Sequence, residues 1–274
     1  MKAYWSIPIF FAGSIAAQEP KPRQEEAAPI QDNSFLIEEA YNQPGGVVQH
    51  INTFALDRNG KSWSYSFTQE WPFLSQRHQV SYTVPVLRNE SPFGTGLGDV
   101  ALNYRYQLPL SSENVAIAPR VSLLLPTGAS SKSRGAGAAG AQVNLPISAG
   151  LSRSFVTHLN AGATHTPSAK NSAGDEASTT SFNAGQSLIW LLRPAFNLML
   201  ELAWNSTDEI LAGGRRKRSN GLILAPGIRG ALNFSSGLQV VPGIAVPIGL
   251  GPSKGERSVF FYLSLEHPFT KTAH

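Results

Sequence analysis

The sequence predicts an all-β fold, a transmembrane antiparallel β-barrel of about 12 strands with a short N-terminal helix. Many segments alternate apolar and polar side chains with the period of a β-strand. Only 15% of the residues are charged while 42% are hydrophobic, and an ordinary soluble surface needs more charge. Long polar connections also alternate with short ones, as in the two ends of an outer-membrane barrel.

The N-terminal part of the chain predicts export. Lys2 precedes a short apolar region with small residues at its end, so residues 1–17 are interpreted as a signal peptide. Residues 18–32 are rich in Pro, Glu and Gln, which predicts a disordered linker. Residues 33–44 offer a cap at Asn33 or Ser34 and then apolar residues, which predicts one short helix at the barrel mouth or in the lumen. We therefore assign 18–45 to a periplasmic leader and 46–274 to the barrel.

Twelve segments of period two follow the leader. Most run for ten residues or more, whereas strands of soluble proteins average ~5 to 6 residues, so their length favours membrane crossing. Merging or splitting a segment would move the strand count to between about 10 and 14. The segments span 47–56, 62–73, 77–87, 98–108, 115–125, 142–151, 155–164, 180–192, 196–205, 222–232, 238–248 and 258–269.

Five prolines fall inside or close to these segments. A proline removes one hydrogen bond from the ladder, and a closed barrel has no free edge, so we expect bulges or shifted strand ends there. The prolines are Pro85, Pro119, Pro146, Pro226 and Pro242.

The stretch from Ser62 to Phe73 separates aromatic from hydroxyl side chains most clearly. Its ten steps at ~3.3 Å, tilted by about 40°, span a height of about 25 Å, which matches the apolar band of an outer-membrane barrel. We therefore predict that its aromatic face contacts lipid, with Gln69 as the polar exception. The aromatic residues predicted at the lipid interfaces are Trp63, Tyr65, Trp71, Phe73, Trp204 and Phe269.

Charged residues of the opposite parity are expected to line the lumen. They mix acidic and basic groups, which could form a selectivity constriction for a small solute or pair with one another and fill the lumen. Both interpretations stay open at this point. The residues are Glu70, Asp99, Arg105, Arg120, Glu201, Arg229 and Glu266.

A basic run lies in one of the long connections that are expected to be external. Clustered guanidinium groups pair well with phosphate oxygens, so this run could bind lipopolysaccharide; alternatively it is a solvated loop. The run is Arg215, Arg216, Lys217 and Arg218.

Three stretches of the chain resemble a known family. They are FLIEEAYNQPGGVVQHINTF, GTGLGDVALNYRYQLPL and PRVSLLLPTG, and a closing FFYLSLEHPF is similar to the last strand of bacterial outer-membrane barrels. Together they resemble the outer-membrane transporters of the phenol meta-degradation-pathway family of Gram-negative bacteria. The resemblance implies a barrel in the cell outer membrane, uptake of small aromatic or hydrophobic compounds, and recognition of the last strand by the barrel-assembly machinery. It carries over no catalytic residue.

Other chemistry finds little support in the residues. His158 with Ser152 or Ser154 nearby could suggest an outer-membrane hydrolase, but no third group is placed to orient the histidine. The six histidines are scattered without metal-ligand spacing, and GTGLGD lacks the Lys-Ser/Thr ending of a phosphate loop, so its glycines are expected to form a tight turn. The net charge of +4 does not favour nucleic-acid binding. We therefore expect passive transport or binding of small molecules without a cofactor or a metal; the alternatives are a structural barrel with a blocked lumen and a hydrolase.

Overall fold

The computed structural model describes residues 30, 33–58, 61–110, 112 and 114–269, so the predicted signal peptide and most of the linker lie outside the described residues. Sixteen strands and three one-turn 3-10 helices make up this part of the chain. None of the helices found there is long and apolar enough to cross a membrane. The strands are β1 (Val47–Asp57), β2 (Trp63–Phe73), β3 (Ser75–Asn89), β4 (Gly94–Leu97), β5 (Val100–Tyr106), β6 (Val115–Ile117), β7 (Arg120–Leu125), β8 (Gly140–Gly150), β9 (Phe155–Lys170), β10 (Glu176–Arg193), β11 (Phe196–Ile210), β12 (Arg216–Gly230), β13 (Leu232–Asn233), β14 (Gln239–Ala245), β15 (Ile248–Gly249) and β16 (Ser258–Pro268).

These strands form a closed antiparallel barrel of 12 strands. β4 with β5, β6 with β7, and β14 with β15 are each two halves of one barrel strand, and β13 is a short extension in a connection. The barrel closes because β16 pairs with both β1 and β14, while β14 and β15 pair with β12. The predicted all-β barrel is confirmed. We call the end where β1 begins and β16 ends the near end, and the opposite end the far end.

The interruptions within barrel strands lie opposite prolines. The carbonyl oxygens of Pro85, Pro146 and Pro226 accept hydrogen bonds from residues at the breaks between β4 and β5, β6 and β7, and β14 and β15, respectively. In an antiparallel strand the N–H and C=O of one residue face the same neighbour, so the missing proline N–H also faces the break. Pro119 lies within the β6–β7 break itself, and Pro242 lies in β14 opposite Leu263. Each break thus occurs where a regular ladder would lack a donor.

The aromatic stretch from Ser62 to Phe73 becomes β2, and its hydroxyl side chains share one face of the strand. Inward, the Ser66 and Thr68 hydroxyls bond to Thr53 and Thr83 of the adjacent strands at 2.7 and 2.8 Å. The polar exception on the outer face, Gln69, accepts a hydrogen bond from the Tyr82 hydroxyl at 2.6 Å.

The outer surface of the barrel is apolar to a degree that a soluble protein would not expose. Its large hydrophobic side chains lie on one parity of successive strands, which is the lipid-facing pattern of a membrane barrel. Exposed examples are Leu102, Val121, Leu123, Val143, Leu145, Leu188, Trp190, Leu200, Leu202, Ile228, Phe261 and Leu263. Of the predicted interface aromatics, Trp63, Tyr65 and Trp71 are half-buried, and Phe73, Trp204 and Phe269 are exposed.

The predicted long connections at the far end are shorter than expected. β9 continues to Lys170, β10 begins at Glu176, and β12 begins at Arg216, so much of the polar sequence between the apolar segments is strand. Beyond the lipid, a strand no longer needs an apolar outer face, so the alternation ends while the hydrogen-bonded ladder continues. The assignment of the basic run to a loop is therefore wrong for Arg216, Lys217 and Arg218, which pair with β11.

Candidate functional site

Residues 33–44, which we call the lumen segment, lie inside the barrel. Their side chains and backbone contact the inner wall on strands all around the barrel, and most of the segment is buried. The predicted short helix is wrong, because the segment contains bends and no helix. Six of its backbone N–H groups bond to side chains of the wall, and the Glu39 N–H bonds to the Asn33 side chain, instead of to carbonyl groups four residues earlier.

The wall offers an acceptor to successive N–H groups of the lumen segment. The two carboxylate oxygens of Glu201 accept from the backbone N–H of Phe35 and of Leu36, each at 2.8 Å. Farther along, Oδ1 of Asn160 accepts from the Glu38 N–H at 2.9 Å, and the Ser148 hydroxyl accepts from the Ala40 N–H at 2.8 Å. Gln107 and Gln79 continue the series with the N–H groups of Asn42 and Gln43. The wall thus satisfies a backbone that would otherwise be buried without partners.

One aromatic side chain anchors the segment. The Phe35 ring packs edge-on against Phe260 and Tyr262, with both centroid distances at 5.9 Å. Gly227 and Gly243 make room for this ring, since a methyl group on Gly243 would lie 2.5 Å from Cε1 of Phe35. Glycine is therefore required at these inward positions by close packing and not by a turn.

A charged cluster holds the middle of the segment. Glu38 accepts from Arg105 at 3.2 Å, from Arg120 at 2.9 Å and from the Asn144 amide at 3.0 Å. Burial alone would raise the pKa of Glu38, but the two guanidinium groups and the amide outweigh it and hold that pKa below its ordinary value of 4.5. Glu38 therefore stays ionised and connects the segment to three strands.

Arg105 binds the segment along its length. Its guanidinium donates to Oδ1 of Asn42 at 2.8 Å and to the carbonyl oxygens of Glu39 and Tyr41 at 3.0 and 2.7 Å. Glu70 lies 3.9 Å from the same guanidinium. A planar group with five N–H donors suits this set of converging acceptors.

The structure brings most of the charged residues predicted for the lumen to this segment. Arg105, Arg120, Glu201 and Arg229 contact it directly, the last by donating to the Asn33 carbonyl at 2.8 Å, and Glu70 lies beside Arg105. Glu266 pairs in register with Gln49, another inward residue. Asp99 lies at the far end of the barrel, apart from this segment.

Asp99 connects the two motifs that carry the family resemblance. Its carboxylate oxygens accept from the N–H groups of Gly128 and Ala136 at 2.9 and 2.7 Å, and the Thr127 hydroxyl donates to the Gly98 carbonyl at 2.7 Å. GLGD and LPTG therefore meet at the far end, where Asp99 holds the connection between β7 and β8. The prediction of a tight turn for the GTGLGD glycines is confirmed for Gly94, which has a φ of 69° and follows the turn between β3 and β4. It is wrong for Gly96 and Gly98, which lie in β4 and at its break. Gly96 makes room for the Arg134 side chain, and Gly98 makes room for Pro85.

Two open cavities lie on one side of the lumen segment and one on the other. The first two have volumes of about 400 and 370 Å³ and share Leu36, Glu38, Arg120 and Gln142, so we treat them as one vestibule. A third cavity of about 310 Å³ lies beside Tyr41. The vestibule is lined by hydroxyl and amide groups and, to a similar extent, by apolar side chains, including Thr53, Thr68, Ser81, Thr83, Asn103, Asn144, Asn183, Asn205, Phe35, Leu36, Ile51, Leu124 and Tyr262.

The suspected hydrolase pair is arranged differently from the expectation. Nδ1 of His158 lies 2.7 Å from the Ser148 hydroxyl, whereas the Ser152 hydroxyl accepts a hydrogen bond from the Ser154 N–H at 3.2 Å. Both side chains face the lumen, and Ser148 is fully buried beneath the Ala40 N–H. The pair positions the wall acceptor for the segment and is not exposed to the bilayer.

Sequence reasoning missed the residues that recognise the segment. The sequence pattern predicts a helix that includes Glu38, and it does not single out the inward Ser, Asn and Gln residues of the wall. The sequence does contain an indication of this role. The wall residues share the inward parity of Glu201 and Arg105, and Gly185, Gly227 and Gly243 place glycines at other positions of that parity. Small residues at inward positions indicate that something occupies the lumen.

No family model matches the sequence, and no curated protein matches it. Among solved structures, the chain is similar to an outer-membrane channel from Pseudomonas putida F1, with a TM-score of 0.63, 13% identity, and coverage of 91% of this chain and 99% of that chain. It is also similar to the porin NanC, with a TM-score of 0.53, 5% identity, and coverage of 80% and 98%. The chain therefore has the fold of an outer-membrane β-barrel. The resemblance to the phenol meta-degradation-pathway family stays a prediction.

Proposed function

We propose that this protein is an outer-membrane barrel for the passive passage or binding of small molecules and that the lumen segment gates it. The observation that carries the proposal is the binding of the lumen segment by polar wall side chains, with a vestibule on one side and a cavity on the other. Hydrogen bonds to side chains can be exchanged for bonds to water when the segment leaves. A solute path then opens without unfolding the barrel.

The lining of the vestibule suggests the class of solute. Ile51, Phe35 and Tyr262 offer apolar contacts, while Thr53 and its neighbours offer hydroxyl groups. We propose small molecules with an apolar or aromatic body and one or two hydrogen-bonding groups. A volume of about 400 Å³ falls within the usual range of small-molecule sites, about 300 to 1,000 Å³.

We further propose that the chain is exported by residues 1–17 and lies in the outer membrane with its near end toward the periplasm. Both ends of the barrel sequence lie at the near end, where Val47 pairs with Pro268, as in other outer-membrane barrels. The barrel-assembly machinery would then recognise β16, the closing strand.

The second candidate function is a structural barrel with a permanently blocked lumen. The same contacts favour it, because Glu38 alone joins Arg105, Arg120 and Asn144. The two functions differ in whether the lumen segment can leave the lumen.

Single-channel conductance in a planar bilayer distinguishes them. We expect the wild type to stay mostly closed, and Arg120→Ala and Glu201→Ala to open more often because each loses bonds to the segment. Replacing residues 33–44 by a Gly/Ser linker should give a steadily open pore. Lys217→Ala, remote from the segment, is the control. Silent variants that insert normally, including the linker variant, would favour the structural barrel and refute passage.

A further inference from the structure

The outer face of β10, β11 and β12 carries a pair of arginines at the far end. Arg216 and Arg218 lie on the same parity of β12 as the apolar outer residue Ile228, so they face away from the lumen. Lys217 lies between them on the opposite parity. We call Arg216 and Arg218 the arginine pair.

A single carboxylate on the adjacent strand orients both members of the arginine pair. Asp208 on β11 lies 3.1 Å from Nη2 of Arg218 and 3.6 Å from Nη1 of Arg216, and its second role is to accept the Thr180 N–H at 3.0 Å. The Asp208 side chain is only 8% exposed, whereas the side chains of Arg216 and Arg218 are 53% and 38% exposed. A ligand that approaches from outside therefore meets two guanidinium groups and a covered carboxylate.

The arginine pair lies just above the apolar surface. The guanidinium carbon of Arg218 lies 5.5 Å from the ring centroid of Phe182, which is 44% exposed on the outer face. Trp204 lies four residues before Asp208 on β11, which places it about 10 Å closer to the near end along the barrel axis for a strand tilted by ~40°. That spacing places the arginine pair at the height of lipid head groups when the aromatic residues lie at the interface.

From this geometry we propose that the arginine pair binds the phosphate groups of a lipid of the outer leaflet, namely the phosphorylated glucosamine lipid of lipopolysaccharide. Arginine suits phosphate because its planar fork of donors matches the phosphate oxygens and binds them in pairs. Arg216 and Arg218 keep donors free for this role, since their bonds in the protein go mainly to Asp208 and to the carbonyls of Ser178, Thr180 and Ser206. The inference rests on the proposed location in the outer membrane.

The test compares Arg216→Gln/Arg218→Gln with Lys217→Gln and with the wild type. Each protein is refolded into phosphatidylcholine vesicles that contain lipid A as a minor component. It is then extracted in mild detergent, and the lipid A retained per barrel is measured. We expect the wild type and Lys217→Gln to retain lipid A equally and the double variant to retain about tenfold less, the ratio that ~1.4 kcal/mol produces. Lipid A without phosphates should not be retained.

Three outcomes would overturn the inference. The double variant could retain as much lipid A as the wild type, or dephosphorylated lipid A could bind equally well, which would assign the contact to acyl chains. Displacement of lipid A by inorganic phosphate would assign the arginine pair to a free anion. Protease protection reports insertion separately: a wild type that fails to insert refutes the membrane location as well, while an inserted wild type without lipid A refutes only this site.

Discussion

Glu201 shows how one residue can decide the state of the lumen. Its carboxylate accepts two backbone N–H groups of the lumen segment, and its side chain is fully buried. In Glu201→Gln one acceptor becomes an NH₂ group that faces an N–H donor. We expect this to lower the free energy of unfolding by about 1 to 3 kcal/mol, the range for a buried unsatisfied donor. Urea unfolding measures the loss, and the amides of Phe35 and Leu36 should exchange faster with solvent.

The control for this prediction is Glu209→Gln, because Glu209 lies on the same strand but is exposed. It should unfold like the wild type. Equal stability of Glu201→Gln and the wild type would show that the segment does not depend on this carboxylate.

The contact between Phe35 and Gly243 provides a second prediction at the same scale. Gly243→Ala places a methyl group 2.5 Å from the Phe35 ring, so the ring must leave its pocket, at a cost of about 1 to 3 kcal/mol. In a Phe35→Ala background the nearest remaining neighbour of the methyl group is Cβ of Arg229 at 3.3 Å, so the change should cost clearly less. A double-mutant cycle by urea unfolding measures this coupling.

Gly150→Ala is the matched control, because an added methyl group there meets only the Asn114 carbonyl oxygen at 3.9 Å. Equal losses for Gly243→Ala in both backgrounds would mean that Phe35 does not fill this pocket in solution.

Among the elements, the lumen segment responds to pH through Glu38. The pKa of Glu38 is lowered in the folded state, so its contribution to stability is complete above the ordinary value of 4.5 and is lost as the pH falls through the folded value. The difference in unfolding free energy between the wild type and Glu38→Gln should therefore be constant from about pH 5 to 7 and shrink below about pH 4.5. Urea unfolding at several pH values measures it; a difference that grows on acidification contradicts the ion-paired arrangement.

The elements also show what the sequence could predict. The alternation in β2 and β11 predicts strands and their faces because lipid requires an apolar outer row, and inward charge follows from the same parity. The lumen segment was not predictable in this way. Residues 33–44 have a local preference for a helix, but Glu201, Ser148 and Asn160, more than 100 positions away, supply the acceptors. The extensions of β9, β10 and β12 at the far end are not predictable from the pattern, because the alternation of apolar and polar side chains stops where these strands leave the lipid.

For the whole molecule, the aromatic residues predict how the barrel sits in a bilayer. Trp63 begins β2 at the far end, Trp71 lies near its opposite end, and Trp204 lies toward the far end of β11, so these rings should occupy the two interfaces. Variants that keep only one of these tryptophans should be quenched more by lipids brominated near the head group than by lipids brominated near the chain end. Leu200→Trp in a background without other tryptophans should be quenched more by the lipid brominated near the chain end, because Leu200 is exposed in the middle of the apolar band. If Trp71 and Trp204 were quenched most by the lipid brominated near the chain end, the apolar band would be displaced along the barrel axis. The arginine pair would then lie too far above the head groups, or too deep in the bilayer, to contact lipid phosphates.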